Sequence, residues 1–410
     1  VYTFWAAIRE DGSALGVLGA IGGLGTPIFL YTGEGSIPGL VGYTCLVLVG
    51  TSGIYLVKGW RSLLWTSVIG GWSIFLIALA NATPGDRWAL QAGIVAAWVI
   101  MWWVSVGRVL LADHDPAKWR YPKSYIADQL SQSGIALNRH GDIALLTVAM
   151  PAAVLFFSRS IWDTGDTLWG LVALGAASCY AGAAWFVSGK SNLRMLASAH
   201  VVAVAILSVI AAALLFDNEP QLLLWTALTI VFLYLARRLD EIPLAVCGHL
   251  LAMIVGIWLL QRLTAEGRVE TAVITVRGLS NAAVIAGLLL ASKWSGDGSA
   301  KWYQLAAHAA FLGWLWRELS ALPGGDAIVT TSYGVYGLTL LLASLKTRKV
   351  GLATLLIAVA KLFLVDLDRV DPFLRILLFL GFGALFLAIS YYYRDRLTSP
   401  LGKQRPPGAS

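Results

Sequence analysis

Apolar stretches of about twenty residues recur along this chain from Ser13 to Tyr393, with short polar gaps between them. An α-helix rises 1.5 Å per residue, so such a stretch covers the ~30 Å hydrocarbon core of a bilayer. A transmembrane β-barrel would need alternating segments of ~10 residues, and the sequence has no such alternation. The pattern predicts an all-α polytopic transmembrane helical bundle. Composition agrees, with 58% of residues hydrophobic and 13% charged, against about 25% charged in soluble domains.

About fourteen spans are predicted, roughly at 13–31, 37–57, 62–80, 88–111, 142–158, 167–187, 194–216, 221–236, 242–261, 271–291, 302–321, 327–345, 351–366 and 373–393. Basic residues then assign a direction. Lys58, Arg61, Lys118, Arg120, Lys190, Arg237, Lys293, Lys301, Lys346 and Arg348 all fall in every second gap or at its edge. The intervening gaps hold Arg87, Arg159, Arg262, Arg268 and Arg369, along with the acidic run Asp217–Glu219. Lys and Arg accumulate on the cytoplasmic side of membrane proteins, so both termini are expected there.

Residues 1–398 are expected to form a single integral membrane domain, and the Pro- and Gly-rich segment 399–410 a disordered tail. The long connection 113–141 interleaves Lys118, Arg120 and Lys123 with Trp119 and Tyr121, which suits the cytoplasmic headgroup region. Membrane lipids are therefore the expected partners, with other membrane proteins or a second copy of the chain as further ones. Nucleic acid is not expected. The net charge of +7 is spread over many loops rather than gathered into a patch.

Ionisable residues inside spans are costly and mark candidate sites. With the topology above, Arg277, Arg317, Glu318, Lys361, Asp366 and Arg375 share one depth, in the outer leaflet, and Thr330, Tyr333 and Tyr336 join them. Two readings follow. One is a polar cavity open to the outside and suited to an anionic group. The other is a set of interhelical ion pairs and snorkelling side chains, with Glu318 the best-placed acid for Lys361.

Other motifs carry less. His200, His249 and His308 lie in spans but lack the spacing of a metal or proton-relay motif, and read as hydrogen-bonded core histidines. Cys45, Cys179 and Cys247 stand singly and read as small packing residues. No GxSxG or triad order supports hydrolase chemistry, and no cofactor or metal is implied. Gly16, Gly19 and Gly22 share one face of the first span, which predicts close helix packing there. Pro27 could break that helix near its outer end.

Two regions carry a family resemblance. The stretch Gly19–Leu30 reads GAIGGLGTPIFL. The block Ser332–Asp395 contains Lys361-x-Phe363-Leu364-x-Asp366-Leu367, then Arg375-Ile376 and a tyrosine-rich end. Both are similar to the bacterial polytopic family catalogued as domain of unknown function 2339. The resemblance implies a bacterial inner (cytoplasmic) membrane protein with additional sequence before Val1. It groups Lys361, Asp366 and Arg375 in one signature and implies no established activity. The leading expectation is transport or flipping of an anionic envelope or lipid-linked component. A non-catalytic scaffold or subunit is the rival, and a membrane enzyme acting on lipid-linked substrates the third reading.

Overall fold

The computed structural model describes residues 2–29, 36–114, 141–189, 193–265, 275–343 and 348–363, together with positions 376, 380, 381, 383, 384, 387 and 391. The expected 113–141 connection falls largely outside the described residues, and the 399–410 tail, Asp366 and Arg375 wholly so.

Regular structure among the described residues is helical. The helices are α1 (Tyr2–Arg9), α2 (Ser13–Phe29), α3 (Ile37–Lys58), α4 (Arg61–Ala80), α5 (Arg87–His114), α6 (Gly141–Ile161) and α7 (Asp166–Ser188). They continue as α8 (Arg194–Leu215), α9 (Asn218–Leu239), α10 (Ile242–Thr264), α11 (Val276–Ala291), α12 (Asp297–Leu319), α13 (Gly325–Ala343) and α14 (Arg348–Lys361). Among the described residues, nine of these helices are long and apolar enough to cross a membrane: α3 to α10 and α13. α2 and α11 are shorter apolar helices.

Chain chemistry explains the ends. Ser36 caps α3 by accepting from the Gly39 amide, Pro38 fits the first turn, and Gly59 closes the helix in the left-handed region at φ 70°. The span expected at 221–236 runs longer, because Arg237 and Arg238 extend its last turn before Asp240 stops it in the left-handed region. Two other expectations change. Pro27 lies inside α2 without ending it. A side chain on Gly16 would meet Trp60 and one on Gly19 would meet Thr3 and Phe4, but one on Gly22 would meet open space. Only part of the glycine face is therefore a packing face.

The chain divides into two compact units. The first comprises Val1–Leu260 and Ala283–Gln304, the second Gln261–Ala282 and Leu305–Ser410. In the first unit, Leu48 and Tyr55 of α3, Phe75 of α4, Ile94 and Met101 of α5 and Leu146 of α6 form a continuous buried core. Gly93 permits this approach, since a Cβ there would collide with Val41 and overlap Phe75. Other large apolar side chains face outward: Trp185 is 84% exposed, Phe186 79% and Leu46 70%. Water would penalise that surface, whereas lipid tails solvate it.

In the second unit, α13 and α14 form a close hairpin. A Cβ on Gly351 would press on the Gly337 carbonyl and the Leu341 amide. Val329, Tyr333 and Ala358 pack there with Leu312, Leu315 and Leu319 of α12.

Candidate functional site

The second unit gathers polar side chains at one end of its helices. The last carbonyls of α10 have no intrahelical donor, as at any helix C-terminus. Arg317 of α12 supplies one: its Nη1 donates to the carbonyls of Arg262 (2.5 Å), Ala265 (3.0 Å) and Leu263 (3.3 Å). Arg277 of α11 donates through Nη2 to the same Arg262 carbonyl, at 3.2 Å. Two cations thus sit at the negative end of a helix dipole.

Arg262 adds a third. Its side chain is 8% exposed and turns to α11, donating through Nε to Asn281 Oδ1 at 3.0 Å and through Nη2 to Ser280 Oγ at 3.2 Å. Asn281 is fully buried, and its Nδ2 has no hydrogen-bond partner. Ser280 in turn donates to the Arg277 carbonyl at 2.9 Å.

Glu318, 2% exposed, lies against the backbone of Gly278, where an added Cβ would stand 2.9 Å from its Oε2. The surrounding backbone is fixed by the Gly278 amide donating to Thr275 Oγ1 and by Trp314 Nε1 donating to the Gly278 carbonyl, both at 2.9 Å. Glycine at 278 therefore makes room for the carboxylate one residue from Arg277.

Lys361, 6% exposed, ends α14 beside the first turns of α13. Its Nζ donates to Thr330 Oγ1 at 2.9 Å and to the Asp326 carbonyl at 3.1 Å, and it lies 5.4 Å from the centroid of the Trp316 ring. An ammonium held by a hydroxyl, a carbonyl and an aromatic face is well solvated within protein. Tyr333, one turn further along α13, donates to the Leu312 carbonyl at 2.7 Å.

Of the expected site residues, Arg277 and Arg317 meet at one carbonyl, Glu318 packs beside Arg277, and Lys361 and Tyr333 bind α12 and α13. Asp366 and Arg375 lie outside the described residues. Arg262, expected in a loop, is instead a buried residue of α10, because the helix continues to Thr264. Asn281 and Ser280 carried no sequence signal of their own, although a polar pair inside an apolar span invites the question of what it binds.

The span histidines each lie beside a tyrosine. His249 Nδ1 is 2.9 Å from Tyr303 Oη, and His308 Nδ1 is hydrogen-bonded to Tyr336 Oη. Among the described residues no three His, Cys, Asp or Glu side chains gather as a metal site would require.

Long apolar helices, lipid-compatible outer faces and charges held on interhelical partners define a polytopic α-helical membrane protein. The family model described as Predicted membrane protein (DUF2339) matches residues 1–347 and 326–395, and the chain belongs to that family. No curated protein and no solved structure gives a significant match.

Proposed function

We propose that this protein is a multi-pass protein of a bacterial inner membrane, with about fourteen spans and both termini cytoplasmic, that handles an anionic envelope component at its outer face. The carrying observation is the convergence of Arg277 and Arg317, from two helices, on the backbone carbonyl of Arg262 in a third, whose own guanidinium is held on Asn281 and Ser280. With this topology that end of α10, α11 and α12 faces outward. Arginine donates in a planar fork that matches phosphate or carboxylate oxygens, and the buried Asn281 amide adds a further donor. The component is therefore a phosphate- or carboxylate-bearing headgroup, and movement across or along the membrane is the activity that suits a polytopic bundle.

The test is thermal stability in nanodiscs. Anionic phosphatidylglycerol should raise the melting temperature of the wild type relative to phosphatidylcholine, and Arg277→Gln should remove most of that increment. An increment of equal size in both proteins would overturn the reading.

A scaffold reading draws on α7, where Gly175, Ser178, Cys179 and Gly182 follow one another on exposed positions of one face. Small residues on a lipid-facing stripe permit close approach of another helix. Oxidative crosslinking through Cys179, the one exposed cysteine among the described residues, would trap a dimer if two copies meet there.

A further inference from the structure

His200, in the first unit, is fully buried on α8. Its Nδ1 lies 2.7 Å from the Leu196 carbonyl oxygen. A carbonyl only accepts, so the neutral ring carries its proton on Nδ1 and presents a lone pair at Nε2. That Nε2 is buried and without a partner. A donor of the same standing is close by: Trp102 Nε1 of α5, also buried and without a partner. Tyr180 of α7, 3% exposed, accepts a 3.1 Å hydrogen bond from Trp98 Nε1. Among the described residues its own hydroxyl proton reaches no acceptor. The three rings form a triangle, with centroids 6.0 Å apart for Trp102–Tyr180, 6.0 Å for Trp102–His200 and 5.5 Å for Tyr180–His200.

Polar groups at membrane depth have no bulk water to turn to, and buried ones are nearly always paired. Here two donors and one acceptor belong to rings whose centroids lie within about 6 Å of one another. A cation such as ammonium offers no lone pair to Trp102 and Tyr180, and a halide offers no proton to His200. Water offers both, and buried waters characteristically make about three hydrogen bonds. His200 and Tyr180 are both buried, which suits a ligand as small as water.

We propose that Trp102, Tyr180 and His200 form a binding site for one internal water molecule. The water accepts from Trp102 Nε1–H and Tyr180 Oη–H and donates to His200 Nε2. It thereby joins α5, α7 and α8 through one polar node, beside the Trp98–Tyr180 bond.

The experiment compares infrared spectra of the full chain in nanodiscs hydrated with H2-16O and with H2-18O, for the wild type and Tyr180→Phe. The substitution removes one oxygen and keeps the ring, and circular dichroism verifies that its helix content is unchanged. The expected result is an isotope-shifted O–H stretch of an isolated water in the wild type that is lost or displaced in Tyr180→Phe. Absence of such a band from the wild type, or an identical band in both proteins, overturns the site. Should Tyr180→Phe fail to fold, a wild-type density map that resolves ordered water decides instead. A peak within hydrogen-bond reach of all three atoms supports the proposal, and its absence overturns it.

Discussion

Both units bond polar side chains within and across helices, but the second gathers charged cross-helix ones at one end of its helices. In the first, most hydroxyls inside spans bond to their own helix one turn back: Thr44 to Leu40, Ser67 to Leu63, Thr147 to Ile143 and Thr226 to Leu222. Such bonds satisfy the hydroxyl wherever the helix sits and tie no second helix to it. In the second, Arg262, Arg277, Arg317, Lys361 and Tyr333 all bond across helices. The first pattern makes a polar residue harmless in a membrane. The second makes the arrangement of helices depend on it, which is how sites are built.

The first unit also bonds across helices, through Gln91 to Ser158, Trp162 to Gln91 and Trp98 to Tyr180, and its buried cation does the same. Arg108, fully buried on α5, donates to the carbonyls of Tyr55 and Leu56 at the end of α3 and lies over the Tyr55 ring. It is a structural lock between two helices.

Substitutions can break this comparison, beginning with the largest effect. Arg262→Met should destabilise the protein by about 3 kcal/mol, because it strips the buried Asn281 and Ser280 of a charged partner. Urea or detergent unfolding measures it, and a loss under ~1 kcal/mol would mean the cross-helix bonds are dispensable. Arg108→Met should cost about 2–3 kcal/mol by freeing two helix-end carbonyls. Gly59→Ala should cost about 1–2 kcal/mol, since its φ of 70° is unfavourable for alanine and the new Cβ would collide with the Arg108 guanidinium. Thr44→Val should lie within ~0.5 kcal/mol of wild type, since only a one-turn bond is lost. A large loss there would erase the distinction between one-turn and cross-helix bonds.

The surface ion pairs sharpen the same point. Arg159–Asp166 and Lys58–Asp11 are short, at 2.6 Å and 2.8 Å, yet three of the four side chains are about half exposed or more. Each is worth at most about 1 kcal/mol. Short distance alone does not mark importance.

Helices were legible in the sequence because a bilayer allows little else to an apolar run of this length. Errors cluster where charge lies within a helix. Arg262 was assigned to a gap because positional charge counting treats any arginine near a span end as a loop residue. α12 starts at Asp297 rather than near 302 because Asp297 and Lys301 lie in its first turns despite their polarity. The shared depth of Arg277, Arg317 and Glu318 followed from alternating direction alone. Their partners did not, since the carbonyls that Arg317 caps lie more than fifty residues away in sequence and carry no side-chain signature. Gly22 fits the spacing of its neighbours and yet faces open space, because spacing specifies a face and not what covers it.

The central claim is that the polar layer of the second unit faces outward and takes an anion. Ser320, exposed and two residues beyond Glu318, reports on it directly once Cys45, Cys179 and Cys247 are replaced and Ser320→Cys introduced. A membrane-impermeant maleimide added outside intact cells should label this position, glycerol phosphate should slow the labelling, and Arg277→Gln should abolish the slowing. Labelling only from the cytoplasmic side, or at a rate that glycerol phosphate leaves unchanged, would contradict the account.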